Sequence, residues 1–325
     1  MTKIEIPWVE KYRPKTFEDI VSQSIAINNL KKFVKNGDMP HMIFTGPAGT
    51  GKTSTALIIA KSMLSDDNYY RNVLELNASD TVRMDYVRSV LKDFVTQSLI
   101  AREDSLKFVI LDEADNIPNQ VQQTLRRIIE KASVHVKFIL LCNYINRIID
   151  PIISRCAVFR FVNHTKEKII EQLKNIAKNE DIIIPSDQED DFYDTLYFIS
   201  GGDLRKAINT LQMAVALDLV DSLDSNEILK ISGFLDSDSL NGFLTAIKNR
   251  KINLIIEKVN RTENFDSRNF IRQLMEKFPE FNFNETDLNQ LYSFIGDVDY
   301  RISQGADERV QIAALFAEII KYIQS

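Results

Sequence analysis

The sequence predicts an α/β phosphate-loop domain built on a parallel sheet and followed by helical modules. Three observations carry that prediction. Gly46-Pro-Ala-Gly-Thr-Gly-Lys52-Thr53 matches the phosphate-binding pattern G-x-x-x-x-G-K-[ST] in full. Short apolar runs of strand type alternate with helical segments between residues 42 and 161, and beyond Thr165 the strand signal gives way to apolar residues at helical spacing.

The phosphate loop has the context that such a loop needs. Met42–Thr45 reads as a strand before it and Ser54–Leu64 as a helix after it. Glycines let the backbone turn its N–H groups inward on phosphates, and the helix N-terminus adds partial positive charge there. Gly46, Pro47, Ala48, Gly49, Thr50, Gly51, Lys52, Thr53 and Ser54 are therefore the expected cradle of a nucleoside triphosphate. Lys52 would reach the β- and γ-phosphates, and the Thr53 hydroxyl would ligate Mg²⁺.

Four further strands follow at Val73–Asn77, Lys107–Leu111, Val136–Leu141 and Ala157–Phe161, which together imply a parallel sheet. Asp112 and Glu113 end the third predicted strand of the domain, counting Met42–Thr45 as the first. There Asp112 can hold Mg²⁺ through water and Glu113 can polarise an attacking water. The next strand ends in Cys142-Asn143-Tyr144, where an amide can hydrogen-bond the water or the γ-phosphate. Arg155 and Arg205 are candidates to neutralise charge on a transferring phosphoryl group. A helix is expected over Asp85–Val95, with Arg83 and Arg88 near its start. Arg126 and Arg127 are placed to couple neighbours to the site, with Glu130 one turn away as a partner for one of them.

From Thr165 onward the periodicity predicts helices over Lys166–Lys178, Gln188–Ser200 and Asp203–Leu217. A second helical series follows over Ser237–Asn249, Ile252–Val259, Asp266–Phe278, Glu285–Ser303 and Asp307–Ile323. Ser222–Asn226 reads as a linker or cap. Domain boundaries are accordingly expected at 1–162, 163–232 and 233–325. In the last of these, Ile312, Leu315, Phe316, Ile319 and Ile320 offer more apolar surface than a small lone bundle needs, which leaves two readings, an oligomerisation surface or a self-contained core.

The bulk numbers fit that plan. A chain of 325 residues has room for two or three domains, and 44% hydrophobic with 26% charged residues is an ordinary globular composition. Nothing in it matches a membrane span or a signal peptide, so the expected location is intracellular. Cys142 and Cys156 form no C-x-x-C pair and support neither a disulfide framework nor a zinc site. A net charge of −6 argues against a chain coated in nucleic acid and leaves room for a local basic stripe.

These residues together resemble the AAA+ ATPases and, within them, the small subunits of replication factor C. The resemblance covers most of the chain. Its most specific pieces are Pro7-Trp-Val-Glu-Lys-Tyr-Arg-Pro14, Leu76-Asn-Ala-Ser-Asp80, Asp112-Glu-Ala-Asp115, Leu125-Arg-Arg127, Cys142-Asn-Tyr144, Ser154-Arg-Cys156 and Gly202-Asp-Leu-Arg205. It implies an AAA+ module, a helical lid and an all-α C-terminal collar. It implies ATP and Mg²⁺ as cofactors, with Val9, Tyr12, Arg13 and Val21 bordering the adenine. Asn143 and Arg205 would be the two sensors, and Arg155 a finger reaching in trans into the neighbouring subunit's site. The implied partners are other clamp-loader subunits, including small-subunit copies and a large subunit, a sliding clamp, and primer–template DNA. Such a loader uses ATP to open the clamp and place it on DNA during replication, in the nucleus of a eukaryote or the cytoplasm of an archaeon.

DNA would be held by phosphate contacts from Arg83 and Arg88, since a loader must act at any primer end. The clamp contact would fall near Thr96–Asp104. The chain departs from the family pattern in three places. Thr81-Val82-Arg83 displaces a usual basic residue by one position, Ser22 stands for a customary glycine, and Ala48 for a proline. Rival readings are a catalytically silent scaffold of the same assembly and another AAA+ DNA machine. The intact set of Lys52, Thr53, Asp112, Glu113 and Arg155 speaks against silence, and a C-terminus without a basic recognition helix speaks against the second.

Overall fold

Strands β1 (His41–Thr45), β3 (Lys107–Asp112) and β4 (Val136–Cys142) are apolar almost from end to end, as strands covered on both faces must be. In a computed structural model of the chain they form the centre of a five-stranded parallel sheet. Its order is β2-β3-β4-β1-β5, with β2 (Val73–Asn77) and β5 (Cys156–Arg160) at the edges. The structure describes residues 6–64, 66–78, 89–96, 106–132, 136–185, 188–222, 225–262 and 265–323. All five predicted strands are present, each shifted by a residue or less at its ends.

Strand alternation sends successive side chains to opposite faces, and each face has its own cover. Ile43, Val109, Leu111, Phe138 and Leu140 pack with Leu125 and Ile129 of the helix Asn119–Lys131. Met42, Phe44, Phe108, Ile110, Ile139 and Leu141 pack with Leu30 of Ser24–Asn36 and with Ala56 and Ile59 of Lys52–Met63. Because β4 lies between β3 and β1, the carboxyl ends of these three strands stand side by side. That is where an open α/β sheet offers a binding crevice.

The chain divides into two compact units, residues 1–183 with 200–211 and residues 184–199 with 212–325. The first thus takes in the helix Lys166–Asn179 and the start of Leu204–Ala216 along with the sheet. The second is helical. Ser237–Lys248, Ile252–Arg261, Ser267–Glu276, Glu285–Ser303 and Glu308–Tyr322 match the predicted series closely. A short helix, Ser225–Ile231, begins inside the segment read as a linker.

The second unit has a core of its own, centred on Phe243, Phe270 and Phe316 with ring centroids 5.1–6.3 Å apart. Ile312, Leu315, Phe316 and Ile319 are buried in that core. The sequence left these apolar faces either to a partner subunit or to a self-contained core. Burial against Phe243, Phe270 and Leu274 accounts for them instead.

Candidate nucleotide site

β1 leads directly into the phosphate loop, and the loop's backbone is one that side chains would obstruct. Gly46 has φ +147°, and a Cβ there would lie 2.1 Å from the carbonyl oxygen of Phe161. Gly49, at φ +69°, would place a Cβ 1.7 Å from the Asp203 carboxylate. The helix Lys52–Met63 then starts from Gly51 with no side-chain cap, so its first N–H groups stay available to an anion.

Lys52 is buried, and its Nζ donates to the carbonyls of Gly46 and Pro47, each at 2.7 Å, and to Asn143 Oδ1 at 3.0 Å. Burial pulls its pKa below the usual lysine value, with Asp112 opposing. These three acceptors hold the ammonium group beside the loop. The Thr53 hydroxyl donates to Asp112 Oδ2 at 2.9 Å, while the other Asp112 oxygen accepts the Glu113 N–H at 2.8 Å. Glu113 occupies the left-handed region at φ +53°, costly for a non-glycine residue, and its carboxylate accepts from Asn116 Nδ2 at 3.2 Å.

The Asn143 loop is held from beneath by a residue to which the sequence reading gave no role. Asp115 is buried, and its Oδ2 accepts the N–H groups of Asn143 and Tyr144 at 3.2 and 3.0 Å. Gln122 fixes the next stretch, donating to the carbonyls of Ile117 and Arg147 and accepting from the Ile149 N–H, all at 2.9 Å. Both are polar groups buried with their bonds satisfied, which makes the loop geometry rigid.

Beside the loop opens a cleft lined by Val9, Tyr12, Arg13, Val21, Gly49, Thr50, Gly51, Ser54 and Arg205. Glu10, Pro14, Asp19, Ile20, His164, Gln172, Leu204 and Ile208 complete the lining, and none of these had been assigned to the site from the sequence. Apolar walls with a few polar groups suit a base and a ribose. Tyr12 is anchored to the helical side of the unit. Its hydroxyl meets Glu180 at 2.5 Å, and burial together with that carboxylate pushes its pKa up to about 12.

Arg155 lies elsewhere. It precedes Cys156, which pairs with His41 at the amino end of β1, whereas the phosphate loop follows Thr45 at the carboxyl end. The two are about 15 Å apart along a strand of this length. Its guanidinium meets Glu130 at 2.6 Å and the Pro151 carbonyl at 2.7 Å, and Arg126 shares Glu130 at 2.9 Å. Arg83 and Arg88, with most of Thr96–Asp104, lie outside the described residues. Burial pushes Cys156 up to about 12 and raises Cys142 as well, so both are inert thiols.

The residues that could hold a divalent cation are the adjoining Thr53 hydroxyl and Asp112 carboxylate. Hard oxygen donors of this kind, few in number, fit Mg²⁺ that arrives on a nucleotide's phosphates. Among the described residues no group of three or more His, Cys, Asp or Glu side chains could hold a metal ion. Nor is any described helix long and apolar enough to cross a membrane.

Residues 42–164 match the family model for the "ATPase family associated with various cellular activities (AAA)", and residues 236–318 match the "Replication factor C C-terminal domain". The chain is 38% identical to replication factor C small subunit 1 of Pyrobaculum islandicum, covering 97% of this chain and 94% of the relative. It is 38% identical to the replication factor C small subunit of Saccharolobus solfataricus, covering 99% and 96%. Among solved structures, the Holliday junction branch migration motor RuvB of Thermotoga maritima superposes with a TM-score of 0.55 at 19% identity, covering 82% of this chain and 91% of that one. That likeness is one of fold.

Proposed function

The chain belongs to the replication factor C small-subunit family of AAA+ ATPases, and from that premise we propose how its residues serve an ATP-driven loader of sliding clamps. The observation that carries the reading is the convergence of three strand ends on one phosphate loop, with Lys52 bonded to Asn143 and Thr53 to Asp112. The adenine enters the cleft beside Val9, Tyr12, Arg13 and Val21. The phosphates replace the carbonyls of Gly46 and Pro47 and the Asn143 amide as partners of Lys52, and the uncapped N–H groups around Lys52 and Thr53 receive them.

Thr53 and Asp112 hold Mg²⁺, which neutralises phosphate charge when bound. Glu113, at the carboxyl end of β3, takes the proton of the attacking water. Asn143, kept in place by Asp115, orients that water or the γ-phosphate, and Arg205 senses the nucleotide from the helix Leu204–Ala216. Arg155, at the opposite edge of the sheet from its own phosphate loop, supplies a finger to the neighbouring subunit. Hydrolysis then becomes conditional on assembly.

Residues 1–162, 163–232 and 233–325 act as ATPase module, lid and collar. Exposed Leu254, Ile256, Tyr300 and Val310 supply apolar surface that the last segment's own core does not use. Arg83 and Arg88 contact the DNA phosphates, and the partners are other loader subunits, a sliding clamp and primer–template DNA inside the cell. The test is ATPase activity of the purified assembly with and without primed DNA and clamp. Stimulation that needs both supports the reading, and a rate indifferent to both overturns it.

A further inference from the structure

We propose that His164 is a positioning residue for ATP binding, its imidazole bridging the phosphate loop to the segment that forms the base-side wall of the cleft. The inference rests on reading the cleft as an ATP site. His164 is 4% exposed and follows β5, far in sequence from both of its partners. Nε2 lies 3.2 Å from the Gly49 carbonyl oxygen, and Nδ1 lies 3.2 Å from Ser22 Oγ. A carbonyl has no proton to give, so Nε2 carries one. In the neutral ring Nδ1 then accepts the serine proton, and both nitrogens are satisfied by different walls of one cleft.

The surroundings leave little slack for either wall. On the loop side, Gly49 is pressed from a second direction by the Asp203 carboxylate, the charged group facing this histidine, which itself accepts the N–H groups of Arg205 and Lys206. On the other side, Gln23 donates to the Val162 carbonyl at 2.7 Å and accepts the Val162 N–H at 3.1 Å, joining the Ser22–Gln23 segment to the stretch that carries His164. Ser22 stands at φ +67° and so adopts a conformation costly for an L-residue. The hydroxyl that comes with that cost is the one bonded to His164. Ser22 and His164 are thus a matched pair. They fix the spacing between Val21, on the base side, and Gly49–Gly51, on the phosphate side. A cleft with its spacing preset spends less binding energy on ordering itself around ATP.

The experiment is calorimetric titration of ATP into the full-length protein carrying His164→Ala, His164→Gln, Ser22→Ala, or His164→Ala with Ser22→Ala, alongside steady-state kcat and KM in the assembly. Loss of one buried neutral hydrogen-bond bridge predicts a Kd about tenfold weaker in His164→Ala, with kcat within about twofold. His164→Gln, whose amide can still donate to Gly49, recovers most of the affinity. The double variant binds no worse than His164→Ala alone, because both changes break one bridge. Unchanged Kd in folded His164→Ala, or effects of the two single changes that multiply, overturns the bridge. Should His164→Ala fail to fold, Ser22→Ala decides, and unaltered ATP affinity there is equally fatal. Wild-type protein that binds no ATP overturns the ATP-site reading and the bridge together.

Discussion

The nucleotide cleft and the C-terminal helical core obey opposite rules. In the C-terminal segment every predicted helix from Ser267 onward begins on a side-chain cap: Asp266, Asn284 and Asp307 accept the N–H groups of Asn269, Asp287 and Val310 at 2.8–3.0 Å. Asp236 does the same for Ser239. The one buried amide noted there, Gln273, spends both its groups on Leu235. The helix after the phosphate loop instead starts bare, from a glycine, beside a buried lysine and a strained glutamate. The C-terminal segment caps most of its own helix starts, although Ile252–Arg261 begins on Lys251 without a side-chain cap and the buried Gln311 Oε1 has no hydrogen-bond partner. In the other, the helix start carries no side-chain cap, and Lys52 and Thr53 hold protein partners that a bound ligand would have to displace.

The sharpest way to break this contrast is to remove chemistry from the cleft without touching its packing. Glu113→Gln is expected to lower the ATPase rate about 10²–10⁴-fold while leaving ATP affinity intact, measured by steady-state hydrolysis beside a binding titration. Phe270→Ala strikes the other region. It should cost about 3–5 kcal/mol of stability by denaturant unfolding, because its buried ring packs against both Phe243 and Phe316. Lys52→Ala should weaken ATP binding about 10- to 100-fold through loss of a charge-assisted bond, and deleting a buried ammonium should not reduce the thermal midpoint of the nucleotide-free protein by much.

Smaller effects refine the same division. Asp266→Ala removes a cap that only folding uses and should cost about 1 kcal/mol, with ATP affinity unaltered. The smallest effect is one of pH. His41 Nδ1 accepts the Phe138 N–H at 3.1 Å, and burial, aided by Lys137, lowers its pKa from 6.5 to about 4. The unfolded chain therefore takes up this proton first. The associated stability is present above pH 6.5 and lost as pH falls from 6.5 towards 4, with no further loss from this group below that. His164, lowered mainly by burial, pulls in the same direction. His41→Asn should flatten the acid limb of an unfolding-midpoint profile.

Much of the molecule was legible because its signals are local. Apolar runs marked the strands, and the phosphate loop, the Asp112-Glu113 pair and Asn143 each stand at a strand's carboxyl end, where chain order alone locates them. The helix Ser24–Asn36 went unread, although Ala26, Ile27, Leu30, Phe33 and Val34 recur at helical spacing and Gly37 closes it in the left-handed region. Other features were out of reach in principle. Asp115, Gln122 and His164 matter through partners brought near only by the sheet, and no periodicity announces a carboxylate bonded to two N–H groups twenty-eight and twenty-nine residues away. Likewise Ile312 and Phe316 advertise apolar surface, but which surface covers them is a tertiary fact.

The most direct measurement is amide hydrogen exchange of the Glu113→Gln protein with and without Mg²⁺ and ATP, at one fixed state of assembly. Added protection over residues 46–54, with the capped helix starts at Asn269, Asp287 and Val310 unchanged, is the predicted result. No added protection over residues 46–54, or protection confined to the C-terminal helices, would contradict the claim that the bare helix end after the phosphate loop is where ATP completes the structure.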